Sequence, residues 1–404
     1  MRVLYTQLLA EPYRPRRVFL TGGTGYVGAL IAAKLLQDPE LESILVPTRR
    51  APEDGPLAMI EAELVALGVT DPAEMLARLT WIRWKDWSDL AEPAFMDGVA
   101  VNDIDTIIHA AGCVDYFDQA SLESVNVELT KLMLALGKTA AVSRFVYVST
   151  AYSAGYLDRP IPEAELGDPL ADPTDYTRSK RTAEHLVAAS GLPFVIARPS
   201  IIIGNHSDGR YSGKRYGLYQ QWMGLERLML DRYHADIHTV ATHAPLNLIH
   251  QDVFQESFDA ALRWVPDGAF INFVTDSSKA PSARDIWTLW ADVAKPENIV
   301  YYTQFDDVDL KAIHMRQRAY LTFAKTNLEI SAHPWQFERG WIHALQAKGV
   351  PFHETTIDSV ERCQARFIAG STLIPRYRER FSESFSPSTC IVECGANMPE
   401  AQYA

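Results

Sequence analysis

Arg17-Val18-Phe19-Leu20-Thr21-Gly22-Gly23-Thr24-Gly25-Tyr26-Val27-Gly28 runs a short apolar strand into glycines at 22, 25 and 28 and then into a helix. The first glycine turns the chain without steric cost, the second lets backbone approach a pyrophosphate, and the third lets the helix press on the sheet. The helix then opens with free N–H groups and the positive end of its dipole toward the phosphates. Its apolar face is Val27, Leu30, Ile31 and Leu35. A tight structural turn is the rival reading, and such a spacing alone does not exclude it. Strand and helix patterns on either side favour a dinucleotide site made of Thr21, Gly22, Thr24, Gly25, Tyr26, Val27 and Gly28.

Working outward, Ile44-Leu45-Val46 reads as a second strand ending at Pro47-Thr48-Arg49-Arg50. A strand end at this place inspects the adenosine ribose. An acid there takes the 2′-hydroxyl of NAD, whereas arginine takes a 2′-phosphate. Arg49 and Arg50 without an acid favour NADP over solvated loop charges. Helical stretches around 56–67 and 72–79 precede a strand at Leu79–Trp84, after which Asp86 either meets adenine or caps a turn. Trp81, Trp84 and Trp87 read as packing.

A fourth strand, Asp105–His109, exits through Ala110, Ala111 and Gly112, small enough for a cofactor to lie against the backbone. His109 reads as a satisfied loop histidine without chemistry. The next helix turns Val125, Leu129, Leu132 and Leu136 to one side, and Asn126 at its start caps or braces nearby backbone. The fifth strand, Arg144–Val148, delivers Ser149 and Thr150 to the carboxyl edge, where open α/β sheets hold ligands.

Past a Pro- and Asp-rich loop, Tyr176-Thr177-Arg178-Ser179-Lys180 places a phenol and an ammonium on one helix face. The nearby cation is expected to lower the phenol's pKa and make Tyr176 a proton donor or acceptor, with Thr150 bonding the same substrate oxygen. An idle surface pair is the bland alternative, disfavoured once the glycine turn and Thr150 are counted with it. Phe194–Ser200 is a sixth strand whose Pro199 borders a nicotinamide. Leu218, Trp222, Leu225 and Met229 form an apolar stripe, read first as packing and second as a slot for an apolar chain with Arg210, Lys214 and Arg215 at its mouth. Phe270–Val274 is a further strand, and Ser282–Asp285 opens a helix as a capping box. The rest is mixed, mostly helical and frayed in its last residues.

The chain of 404 residues with net charge −13 is large enough for a real core, and its dispersed basic residues argue against nucleic acid. No apolar run of about eighteen residues and no leader-like N-terminus occur, so a soluble cytoplasmic protein without a transmembrane segment is expected. Cys113, Cys363, Cys390 and Cys394 read as free thiols rather than a disulfide scaffold or a metal site, although the last two can share a helix face.

Thr21-Gly22-x-x-Gly25-x-x-Gly28, Val148-Ser149-Thr150-Ala151-Tyr152, Tyr176-x-x-x-Lys180 and Arg198-Pro199-Ser200-Ile201 together resemble the extended short-chain dehydrogenase/reductases. The last strings are most similar to the branch of fatty acyl-CoA reductases and thioester reductase domains. The likeness covers roughly residues 15 to 280. It implies an α/β, Rossmann-type doubly wound parallel sheet in an NADP-binding domain at 15–204. A smaller, mostly helical substrate-binding region follows at 205–404, parts of 245–280 returning to the sheet. It assigns the pyrophosphate to Gly22, Gly25 and Gly28, the 2′-phosphate to Arg49, and catalysis to Thr150, Tyr176 and Lys180. Val148, Pro199 and Ile201 fall among the cofactor contacts. The implied activity is NADPH-dependent reduction of an acyl-CoA or carrier-protein thioester to the aldehyde, with the alcohol as a further product. NAD remains an alternative cofactor and a homodimer is allowed. The second activity is a dehydrogenase or epimerase acting on a secondary alcohol or ketone, such as a sugar nucleotide or sterol-like molecule.

Overall fold

The computed structural model describes residues 7–49, 51–84, 89, 103–116, 118–213, 216–230, 235–385 and 388–394. Arg50, Asp86, Trp87, Lys214, Arg215 and the last ten residues, named above, lie outside them. Two compact units form. The first gathers Met1–Ile202, Gln251–Val274 and Phe337–His353, and the second Ile203–His250, Thr275–Gln336 and Glu354–Ala404.

In the first unit the strands are β1 (Arg17–Thr21), β2 (Ser43–Thr48), β3 (Leu79–Arg83), β4 (Thr106–His109), β5 (Arg144–Val148), β6 (Phe194–Pro199) and β7 (Ala269–Phe273). They make one seven-stranded sheet in the order β7-β6-β5-β4-β1-β2-β3, every pair parallel. The sequence dictates this arrangement because strands such as Val18-Phe19-Leu20 and Phe145-Val146-Tyr147 are apolar on both faces and almost wholly buried, as a sheet covered on both sides requires. Helices α1 (Tyr26–Leu36), α2 (Pro56–Ala66), α3 (Leu129–Thr139), α4 (Asp175–Ala188), α5 (Gln251–Trp264) and α6 (Gly340–Ala347) belong to this unit. Leu129, Met133 and Leu136 of α3 and Ala183 and Val187 of α4 pack in one cluster with Ile107, Phe145 and Ile196 of the strands.

Strand order reverses direction between β1 and β4, so the crevice at their carboxyl ends is the place where such a sheet holds a ligand. Register brings the glycine turn and the Ala110–Cys113 exit loop side by side, since Thr21 pairs with His109.

The second unit contains helices Leu218–Leu230, Ala283–Ala294, Met315–Ala332, Ile357–Ala369 and Leu373–Phe381. It also contains a sheet the sequence reading left out. Asp236–Val240, Asn298–Tyr302 and Cys390–Cys394 pair in parallel, with the middle segment at the centre. Cys390 and Cys394 therefore share a strand and not a helix face, and none of the four cysteines is in a disulfide. The chain division differs from 15–204 and 205–404 in that Gln251–Val274 and Phe337–His353 both sit with the seven-stranded unit. The first carries α5 and β7. The second carries α6, which packs on β7 and α5, a non-local contact that no local pattern announces.

Candidate active site

The glycine turn is built as backbone against backbone. Gly22 has φ +75°, and a Cβ there would lie 2.6 Å from both the carbonyl carbon of Ala110 and the nitrogen of Ala111. At Gly28 a Cβ would fall 2.1 Å from the oxygen of Gly22, so only glycine lets α1 start this close to the turn. Gly25 is the N-cap of α1 with no side chain bonding the first turn, which carries no acid. The N-terminus of an eleven-residue helix thus faces the turn with no capping bond from its N-cap side chain, and partly exposed Thr24, Gly25, Tyr26 and Val27 surround it. These features fit a pyrophosphate.

Thr21 is a correction to the expected contacts. Its side chain is fully buried, accepts from Ala111 N at 3.2 Å and pairs with His109 Nδ1 at 2.7 Å, so it braces the exit loop from within. The chain of bonds continues from His109 Nε2 to Thr130 Oγ1 at 3.0 Å and from that hydroxyl to the Asn126 carbonyl at 2.8 Å. Because Thr130 donates to the carbonyl, it accepts from Nε2–H, which leaves Nδ1 to accept from Thr21; the network assigns this tautomer. Burial, with Lys180 nearby, holds His109 neutral at a pKa of about 3. His109 is thus a satisfied strand-end histidine.

Asn126 lies in a π-helical turn, Leu122–Glu128, ahead of α3. Its amide brackets the exit loop, accepting from Cys113 N at 2.8 Å and donating to Cys113 O at 3.1 Å, and its Nδ2 also reaches Ser179 Oγ at 2.9 Å. It braces backbone, one of its two expected roles. Gly112 is exposed, and a Cβ there would come within 3.7 Å of Lys180 Nζ and 3.3 Å of Asn126 Oδ1. Arg49 stands exposed just past β2. Pro199 is buried at the end of β6, opposite Phe273, and Ile201 is partly exposed beyond it.

Thr150, Tyr176 and Lys180 converge at the exit of β5. α4 starts where a capping box of Thr174 and Thr177 satisfies its first N–H groups, so Tyr176 falls in the first turn and Lys180 one turn later. Thr150 stands near enough to Tyr176 to influence its phenol. Lys180 Nζ donates to the Val148 carbonyl at 2.7 Å and stands 4.3 Å over the ring of Tyr147. Burial pulls the lysine from its ordinary 10.5 down to about 7, with Glu184 acting the other way.

The phenol departs from expectation. Burial first, then the neighbouring Tyr116 and Cys113, push Tyr176 well above the ordinary tyrosine range, and the nearby Thr150 hydroxyl acts the other way. Desolvation outweighs any help from Lys180 here. Tyr116 packs its ring 5.8 Å from that of Tyr176.

Sequence reasoning missed the charged scaffold behind this site. Glu184 is buried, accepts from Ser149 Oγ and from Ser153 Oγ (2.7 Å), and pairs with buried Arg198 at 2.6 Å. Arg198 also donates to the carbonyls of Pro162 and Ala164 at 3.0 and 2.9 Å. Arg181 binds both oxygens of Asp172 at 2.6 and 2.7 Å and the Ser153 carbonyl at 2.9 Å. The signal was present, because Glu184 continues the four-residue spacing of Tyr176 and Lys180 along one face. In the second unit, Leu218, Trp222, Leu225 and Met229 are buried, Trp222 edge-on to Trp290 at 5.6 Å, so the stripe is packing. No cluster of metal-ligating side chains occurs among the described residues, and no described helix is long and apolar enough to cross a membrane.

Comparison with known proteins adds the family. Residues 20–254 match the NAD-binding family described as male sterility protein. A putative fatty acyl-CoA reductase of Drosophila melanogaster is 27% identical over an alignment of 280 residues that covers 60% of this chain and 54% of that protein. A peramine synthetase of Metarhizium rileyi is 28% identical over 229 residues, 52% of this chain and 8% of the synthetase. The chain thus spans about half of the first relative and a small part of the second. Among solved structures, the terminal R domain from the myxalamid PKS-NRPS biosynthetic pathway superposes with a TM-score of 0.69 at 20% identity, covering 88% of this chain and 91% of that one. That likeness is one of fold.

Proposed function

The chain belongs to the male sterility protein family of NAD-binding domains, and from that premise we propose that it is an NADPH-dependent reductase of acyl thioesters. The observation that carries the proposal is the gathering of Thr150, Tyr176 and Lys180 at the exit of β5, where Lys180 Nζ donates to the Val148 carbonyl at 2.7 Å, one strand away from the glycine turn's neighbour β4. Gly22, Gly25 and Gly28, with the uncapped start of α1, hold the pyrophosphate, and Arg49 takes the 2′-phosphate. The glycine cradle, which a Cβ would fill, and the small exit loop at Ala110–Gly112 fit such a cofactor.

The reduced nicotinamide supplies the hydride when bound. Thr150 and Tyr176 bond the thioester carbonyl oxygen, where negative charge develops as the carbon is reduced. The raised pKa of Tyr176 keeps its proton on at neutral pH, which suits a donor to that oxyanion. Lys180 anchors the ribose and supports the phenolate left behind. The tetrahedral hemithioacetal then collapses, its C–S bond breaking with the electron pair on sulfur and its hydroxyl proton passing to that sulfur, to leave an aldehyde and a free thiol. The acyl group arrives on coenzyme A, as the name of the fatty acyl-CoA reductase suggests, or on a carrier protein.

The test is the purified chain with NADPH and a long-chain acyl-CoA, or the same acyl group on a carrier protein, following NADPH absorbance and free thiol together. Equal amounts of oxidised cofactor and thiol are expected, or two cofactors per thiol where the alcohol forms. NADPH consumption with a ketone and none with either thioester overturns the reading in favour of a secondary-alcohol dehydrogenase.

A further inference from the structure

Two neighbours on one helix face grip two neighbours on one strand end. Lys180 and Glu184, four apart on α4, bond Val148 and Ser149 in turn, the lysine through the Val148 carbonyl and the glutamate through the Ser149 hydroxyl. Ser153 Oγ binds the same Glu184 oxygen as Ser149, so the segment 149–153 is held at both ends. Thr150 lies inside it and accepts from Tyr152 N at 3.4 Å. Arg198 fixes the orientation of the carboxylate, its Nε sitting 3.1 Å from both Glu184 oxygens and one terminal nitrogen 2.6 Å from Oε2.

We propose that Glu184 is a positioning residue of the Thr150, Tyr176 and Lys180 site: it sets the strand end that carries Thr150 and presents a negative charge one helical turn from Lys180. This rests on the reading of that site given above. A buried Arg–carboxylate pair is weak evidence for a gain in stability, because desolvation consumes much of the attraction. What folding alone does not call for is a second pair of bonds from the same carboxylate to the two serines that flank Thr150.

The groups facing Lys180 are few. Tyr147 of β5 lies under it, His109 of β4 is held neutral beside it, Tyr176 precedes it on α4, and Glu184 follows with Arg198 of β6 behind. Glu184 is the anionic member of this set. Lys180 must carry its proton to hold a ribose and steady a phenolate. Burial works against that, so the carboxylate sets up to what pH the lysine stays charged.

The experiment uses the full chain with Glu184→Gln, measuring NADPH affinity by fluorescence titration without thioester, and turnover with acyl-CoA, both from pH 6 to 9. Glu184→Gln is expected to move the alkaline loss of NADPH affinity down by about one pH unit and to lower kcat about tenfold, with KM for the thioester within about twofold. A Glu184→Gln chain that folds, by its near-UV circular dichroism, and keeps the wild-type pH profile overturns the inference. Ser149→Ala leaves the ion pair whole and is expected to lower kcat about threefold with the pH profile in place. Should Glu184→Gln not fold, a wild-type kcat in Ser149→Ala overturns the inference instead. Tyr176→Phe is measured alongside. Full turnover in that variant overturns the reading of the site and this inference with it, whereas an inactive Tyr176→Phe beside an unshifted Glu184→Gln overturns this inference alone.

Discussion

A methyl group at position 28 would meet the carbonyl oxygen of Gly22 at 2.1 Å, and both partners are backbone, so no side chain can swing aside. Gly28→Ala must therefore push α1 away from the turn, at a cost of about 1–3 kcal/mol typical of overpacking. Thermal unfolding of the variant is expected at lower temperature. Its NADPH affinity, read by fluorescence titration, should fall about tenfold or more because the helix N-terminus no longer reaches the phosphates. Arg49 tests a different contact. A charge-assisted bond to a 2′-phosphate is worth about 1.5–3 kcal/mol, so Arg49→Ala should weaken NADPH about tenfold or more and leave NADH affinity nearly unchanged. Equal losses for the two cofactors would remove Arg49 from the 2′-phosphate. At this scale the sequence was informative wherever a residue type has one conformational use, as glycine does at 22 and 28. It misled at Thr21, whose place in the motif says nothing of its bond to His109, and at Tyr176, where desolvation by residues distant in sequence outweighs the lysine one turn away.

The element that concentrates the chemistry is α4, with Tyr176, Lys180 and Glu184 at successive four-residue steps. Its spacing was readable because a helix repeats every 3.6 residues whatever surrounds it. Its partners were not, since Asp172 and Arg198 reach it from a loop and from β6. Asp172 and Arg181 form a pair with side chains only 14% and 7% exposed, and Arg181 adds the Ser153 carbonyl. Together they strap the end of the long loop before α4 to the segment that carries Thr150. Removing one partner of a buried pair strands the other charge, so Asp172→Ala is expected to cost about 3 kcal/mol, seen as a lower urea midpoint with an unchanged slope. Replacing both, as Asp172→Leu with Arg181→Met, should recover much of that loss. If the double variant is as unstable as the single one, the pair's stranded charge is not the cause.

For the molecule as a whole, the seven-stranded sheet was legible because its strands are short, apolar on both faces and bounded by turn residues. The three-stranded sheet was not, since its strands come from positions 236, 298 and 390 and the last is exposed along most of its length. The place of Phe337–His353 in the first unit was equally hidden, and Glu163 is one of the residues that hold it there. That buried carboxylate accepts from Asn272 N of β7 and from Trp341 N of α6, each at 3.0 Å, tying a loop, a strand and a late helix together within one unit. Burial, its largest influence, raises Glu163 from 4.5 to about 8 in spite of those bonds. A carboxyl whose folded pKa lies above its unfolded one binds its proton more tightly when folded. Its contribution to stability is therefore complete below about pH 4.5 and is lost as pH climbs through about 8. Glu163→Gln cannot titrate, so the unfolding free energy of wild type minus that of the variant should fall steadily from pH 5 to pH 8, measured by urea titration at each pH. A difference that stays constant over that range would mean that the folded protein holds Glu163 ionised, with the backbone N–H groups of β7 and α6 outweighing its burial.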